Sequence, residues 1–71
     1  MPKLPRISGA ECVAALRRLR FEVVRQRGSH VVLRHGSQGC VVPMHRELKI
    51  GTLHGIIKQA GIDAEELIRA L

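Results

Sequence analysis

Aromatic residues are almost missing from this 71-residue chain: it has no tryptophan and no tyrosine, and Phe21 is the single phenylalanine. Its core must therefore be aliphatic, built from Val, Ile and Leu. Cysteine is scarce too. Cys12 and Cys40 form no close pair and no metal-ligand cluster, which excludes a disulfide framework and makes both small core residues in a reducing compartment. No apolar run approaches the length that spans a bilayer, and the N-terminus lacks the apolar segment of a signal peptide. No membrane association is expected, and the cytoplasm is the expected location.

Carboxylates are the other shortage. Six Asp and Glu stand against twelve Lys and Arg, a net charge of +6. That excess favours a polyanion or an acidic protein as partner. Most of it lies in Arg17, Arg18, Arg20, Arg25, Arg27 and Arg34, with Arg46 and Lys49 following, while Asp63, Glu65 and Glu66 gather near the C-terminus. Arginine's planar fork suits phosphate contacts better than solubility alone requires. With 45% apolar and 25% charged residues the composition is that of a folded protein, and the length allows a single domain, 1–71, with a modest core.

Local patterns place the elements. Ser8 followed by Glu11 is a capping box, and Ile7 and Cys12 stand where a hydrophobic staple would put them. Val13, Leu16 and Leu19 or Arg20 continue at helical spacing, predicting a helix over about 9 to 19 with Arg17 and Arg18 towards solvent. "FEVVRQRG" reads as a strand with imperfect alternation, since Phe21 and Val23 share a parity with Arg25 and Arg27. Gly28 and Ser29 turn the chain into a second strand, 30 to 35. "GSQG" is a four-residue connection, and "CVVP", 40 to 43, is a short third strand ended by Pro43. Such short links require an antiparallel meander.

After a polar loop to Lys49, a helix is expected to begin near Gly51 or Thr52. Leu53, Ile56, Ile57 and Ala60 form its buried face, and Gly61 is its left-handed stop. Asp63 and Glu66 make a second capping box for a last helix that turns Leu67, Ile68 and Leu71 inward. The order α-β-β-β-α-α predicts a two-layer α+β domain: helices cover one face of a three-stranded antiparallel sheet, and the other face stays wet.

His30 is the residue to single out for chemistry. Histidine takes and returns protons near neutrality. Gly28 permits a sharply turned backbone before it, and Ser29 offers a turn hydroxyl or phosphate contact. Arg27 and Arg34 supply a positive field that would hold a phosphodiester and stabilise developing charge. RNA carries its own nucleophile, the 2′-hydroxyl, so cleavage without a metal needs a base, an acid and electrostatic help. The bland alternative is a hairpin histidine with no chemical role. His35 has the opposite parity to His30, which argues against paired catalysis within that strand. His45, in the loop after "VPM", can approach the sheet, and His54 reads as a surface residue of the second helix. Four histidines without carboxylate or cysteine partners do not make a metal site, so none is expected. Gly51 and Thr52 at a helix N-terminus read as ordinary capping rather than an anion site.

"GSH" at 28 to 30 preceded by "VVRQR", then "VVP" and His45, then "GTLHGIIKQAGI" at 51 to 62, form an ordered set that resembles the HicA toxin family over nearly the whole chain. The resemblance implies a toxin of a bacterial type II toxin–antitoxin system, acting as an mRNA interferase. It implies a double-stranded-RNA-binding-domain-like fold, an essential histidine matching His30, and a HicB-like antitoxin that masks the site. Where the family often has a histidine or aromatic after "GSH", this chain has Val31. The expected site is thus His30 as the catalytic group, with Arg27, Gly28, Ser29, Arg34, His45, Arg46 and Lys49 contacting RNA and no cofactor. The rival expectation is a non-catalytic RNA-binding or protein-interaction module using the same surface.

Overall fold

The structure, a computed structural model, describes residues 3–71. Its elements are α1 (Gly9–Arg18), β1 (Glu22–Arg27), β2 (His30–His35), β3 (Gln38–Pro43), α2 (Ile50–Ala60) and α3 (Ala64–Ala70). The strands form one antiparallel sheet in the order β1-β2-β3. This is the α-β-β-β-α-α arrangement that the sequence predicts.

Local chemistry starts the helices where expected. The Ser8 hydroxyl accepts from the Glu11 amide at 3.0 Å, and the Glu11 carboxylate accepts from the Ser8 amide at 2.9 Å. Asp63 and Glu66 repeat the arrangement at α3, at 2.8 and 3.1 Å. Each box satisfies amides that the first helical turn leaves without partners.

The end of α1 is less ordinary. Arg20 lies at φ +75°, while the Phe21 amide donates to the Leu16 carbonyl and the Arg20 amide to the Arg17 carbonyl, both at 3.0 Å. Those bonds define a Schellman stop, in which the left-handed residue is usually glycine. An arginine there costs about 1–2 kcal/mol in backbone strain. Arg20 is therefore outside the helix, and the buried stripe of α1 is Cys12, Ala15 and Leu16 instead of one ending at position 20. α2 buries Leu53, Ile56, Ile57 and Ala60 as predicted, and Gly61 closes it at φ +71°. It begins one residue earlier than expected, at Ile50, with Lys49 as a cap that makes no side-chain bond.

The strands bring two corrections. Gln38 pairs with His35 and Gly39 with Arg34, so the second hairpin turns on Gly36 and Ser37 alone, not on four residues. Main-chain groups of Gly39 serve the ladder even though glycine as a residue type signals a loop. In the first hairpin, Val23 opposes Leu33 but Arg25 opposes Val32, so Val24 is a bulge. One extra residue reverses the facing of everything after it. Val23 thus shares the helix side with Leu33, while Arg25 and Arg27 point to the open side. That is the physical source of the irregular alternation.

Leu33 and Val42 are fully buried, and Val31 and Cys40 nearly so, beneath α1 and α2. Together with Leu16, Leu48, Leu53 and Leu67 they make an aliphatic core in which Phe21 is the one aromatic. Each such side chain contributes about 1.5–3 kcal/mol relative to exposure. α3 packs on α1, where the Arg18 guanidinium donates to the Ala70 carbonyl at 2.8 Å. Arg18 is thereby a structural tie as well as a surface charge. Leu71 lies just past the end of α3 and is exposed, against the expectation that it packs inward. Both cysteines are free and buried. Burial pushes the Cys12 thiol up to about 12, with a smaller contribution from Cys40, and burial pushes Cys40 up to about 11.

Candidate nucleic-acid interface

The open side of the sheet carries His30, Val32 and Arg34 on β2, flanked by Arg27, Arg25 and Glu22 on β1 and by Pro43, Val41 and Gly39 on β3. The facing follows from burial: Val31 and Leu33 point to the core, so their alternates point out. Arg27 and His30 are direct cross-strand partners at one end of this face, and both are exposed. Gly28, at φ +55°, makes the two-residue turn between them possible.

A second segment is fastened to that turn. The Met44 amide donates to the Ser29 carbonyl at 2.6 Å, extending the contact of the hairpin with the chain that leaves β3. His45 comes next, its amide bonded to the Pro43 carbonyl and its carbonyl accepting from the Gly9 amide, each at 2.9 Å. The end of β3 therefore sits between the Gly28–Ser29 turn and the N-terminus of α1. Gly9 is what allows it: a Cβ there would lie 2.8 Å from Met44 Cα and 3.1 Å from the Pro43 carbonyl carbon. Leu48, buried, pins the rest of the loop by donating its amide to the Ile7 carbonyl at 2.7 Å. Arg46 and Lys49 stand exposed on this loop.

Several sequence-predicted site residues thus meet. Arg27, Gly28, Ser29, His30 and the backbone of His45 share one end of the sheet, and Arg46 follows directly. Arg34 does not join them. It is four residues along β2 from His30, about 13 Å on the same face at strand spacing, so it can dock a ligand but cannot stabilise charge developing beside His30. Arg25 takes the intermediate place, opposite Val32. Sequence reading missed it as a site residue, because its parity with Phe21 and Val23 hides the bulge that separates their faces. Gly9 and Met44 were also missed. A glycine in the first helical turn is the one sign of the close approach.

His35 lies on the helix side, its ring edge-on to Phe21 with centroids 5.4 Å apart. Its separation from His30 is as the parity requires. His54 is exposed on α2. Among the described residues the ion pairs are Arg6–Glu47 at 3.9 Å and Arg69–Glu65 at 4.0 Å, both exposed. The arginines of the sheet have no carboxylate partner in that set, which leaves their charge available. No three His, Cys, Asp or Glu side chains among the described residues converge as metal ligands. No helix among them is long and apolar enough to cross a membrane.

No curated protein matches the chain. A family model described as HicA toxin of bacterial toxin-antitoxin matches residues 9–62, from the first residue of α1 to just beyond α2. That span holds the hairpin turn, the open sheet face and the fastened loop, and it covers well over half of the sequence. The chain belongs to the HicA toxin family.

Proposed function

We propose that this protein is the toxin of a type II toxin–antitoxin system and a metal-independent endoribonuclease acting on mRNA in the cytoplasm. The observation that carries the reading is the cross-strand pair of Arg27 and His30 on the open face, beside a turn held by the Met44–Ser29 bond. RNA lies on that face and its rim, on a fold that resembles the double-stranded-RNA-binding domain. His30 takes the proton of a 2′-hydroxyl, the 2′-oxygen bonds to the adjacent phosphorus, and the bond to the 5′-oxygen breaks. The leaving oxygen receives a proton, so the products are a 2′,3′-cyclic phosphate and a 5′-hydroxyl. Arg27 steadies the phosphate charge during the step. Ser29, His45, Arg46 and Lys49 line the approach, and Arg34 holds RNA further along the sheet. The protein partner is a HicB-like antitoxin, and an acidic surface on it would cover these arginines.

A non-catalytic RNA-binding or protein-interaction module is the second reading. What favours it is that no side chain among the described residues hydrogen-bonds to His30 to serve as its acid or base partner. Cleavage of single-stranded RNA in excess chelator separates the two, with His30→Ala run alongside. The parent is expected to cut. The variant should lose at least about 100-fold in rate, the usual contribution of a general acid–base group, with an unchanged melting temperature because residue 30 is exposed. A His30→Ala protein that cuts at the parental rate would sink this role for the histidine.

A further inference from the structure

The end of the sheet far from His30 has its own basic feature. Arg17, in the last turn of α1, and Arg20, in the Schellman stop, line an open cleft with Phe21, Glu22 and Val23. Neither guanidinium is ion-paired to a carboxylate among the described residues, although Glu22 borders the cleft. The helix dipole accounts for basic residues in the last turn, such as Arg17 and Arg18. It does not account for Arg20, which lies beyond the helix in a left-handed conformation that glycine would adopt without strain. Backbone strain of this kind clusters at functional sites, which makes the Arg20 side chain a candidate contact.

We propose that Arg17 and Arg20 form a distal phosphate site that grips the RNA strand several nucleotides from the bond at His30. This rests on the RNA-cleaving reading above and adds to it the length and path of the substrate. β1 runs from Glu22, beside the cleft, to Arg27, opposite His30, about 17 Å at strand spacing. Arg25 and Arg34 lie on the open face between the two ends. A single strand following β1 from the cleft meets Arg25 and then Arg27, with Glu22 as the one carboxylate on that strand. A positively charged groove that tracks the backbone is one half of single-strand binding, and with no exposed aromatic here to stack bases the phosphate contacts must carry it.

The test uses the full chain and 2′-O-methyl RNA, which lacks the free 2′-hydroxyl and stays intact. Binding is measured by fluorescence anisotropy over a range of salt, with strands of about 5 and about 15 nucleotides. Three variants are compared with the parent: Arg20→Gly, which removes the side chain and relieves the backbone, Arg20→Lys, which keeps charge and strain, and Arg17→Ala. For the long strand, Arg20→Gly and Arg17→Ala should each reduce the slope of log affinity against log salt by about 0.7, the share of one phosphate contact. Arg20→Lys should keep most of the slope. The short strand should bind all four proteins alike. Arg20→Gly should also melt higher than the parent, so weaker binding cannot be put down to damage. Parental binding of the long strand by Arg20→Gly and Arg17→Ala would overturn the distal site while leaving the RNA-cleaving reading standing. A parent that binds neither strand, yet binds a polyglutamate probe through Arg20, would overturn both.

Discussion

Two glycines in helices, changed to the same residue, are expected to move stability in opposite directions. Gly9→Ala puts a methyl group 2.8 Å from Met44 Cα and 3.1 Å from the carbonyl carbon of Pro43, both of them backbone. Neither can swing aside as a side chain would, so α1 and the end of β3 must separate. Overpacking of this kind costs about 1–3 kcal/mol. Separation also weakens the 2.9 Å bond from the Gly9 amide to the His45 carbonyl, worth about 1 kcal/mol net. Alanine's better helix propensity returns less than the ~1 kcal/mol of a helix interior, because Gly9 is the first helical residue. The balance is a loss of about 2 kcal/mol, or roughly 8–16 °C in melting temperature for a domain of this size.

Gly55→Ala is the counterpart. A Cβ at position 55 meets nothing within 4 Å, and the residue is exposed in the middle of α2. Only the helix propensity remains, so the variant should gain about 0.5–1 kcal/mol and melt about 5 °C higher. Thermal unfolding followed by far-ultraviolet circular dichroism reads both. At a temperature where Gly9→Ala is still folded, RNA cleavage should also fall, because the His45 segment has moved from the Gly28–Ser29 turn. If Gly9→Ala melted at or above the parent, the close approach that seats this loop would be refuted. If the two variants shifted alike, neighbouring space would not be what sets the sign.

Asp63→Ala should cost about 1 kcal/mol through loss of its bond to the Glu66 amide, seen as a lower denaturant midpoint with an unchanged slope. Arg18→Ala removes the bond to the Ala70 carbonyl and should lower amide-exchange protection in α3 more than in the sheet. The thiols make stability depend on alkaline pH. Because folding raises Cys12 to about 12 and Cys40 to about 11 from an ordinary 9.0, the folded state binds more protons above pH 9. Stability is therefore full below that pH and falls as pH rises towards 11 or 12, by about 1.4 kcal/mol per pH unit for each thiol. Denaturant melts from pH 8 to 10.5 should fall more steeply for the parent than for a Cys12→Ala, Cys40→Ala protein, and equal slopes would contradict the assignment.

What the sequence by itself determined is whatever depends on neighbours a few residues away. Both capping boxes, the buried face of α2, the Gly61 stop and the turn at Gly28 are decided by residue pattern, hydrogen bonds and dihedral preferences within a few turns of chain. The position of His30 beside Arg27 was legible for the same reason, since a two-residue hairpin leaves the flanking residues opposed. The tertiary structure decided the rest. The bulge at Val24 follows from which residues of β1 find partners on β2, and it puts Val23 on the helix side although Val23 shares a parity with Arg25 and Arg27 on the face of His30. The short second turn follows from main-chain pairing of Gly39, which no side chain signals. Leu71 is exposed because α3 ends before it. Gly9 and His45, 36 residues apart in sequence, meet only once the sheet and the first helix have packed. Pairing register and close approach are set by contacts between distant segments, and local preference carries no record of them.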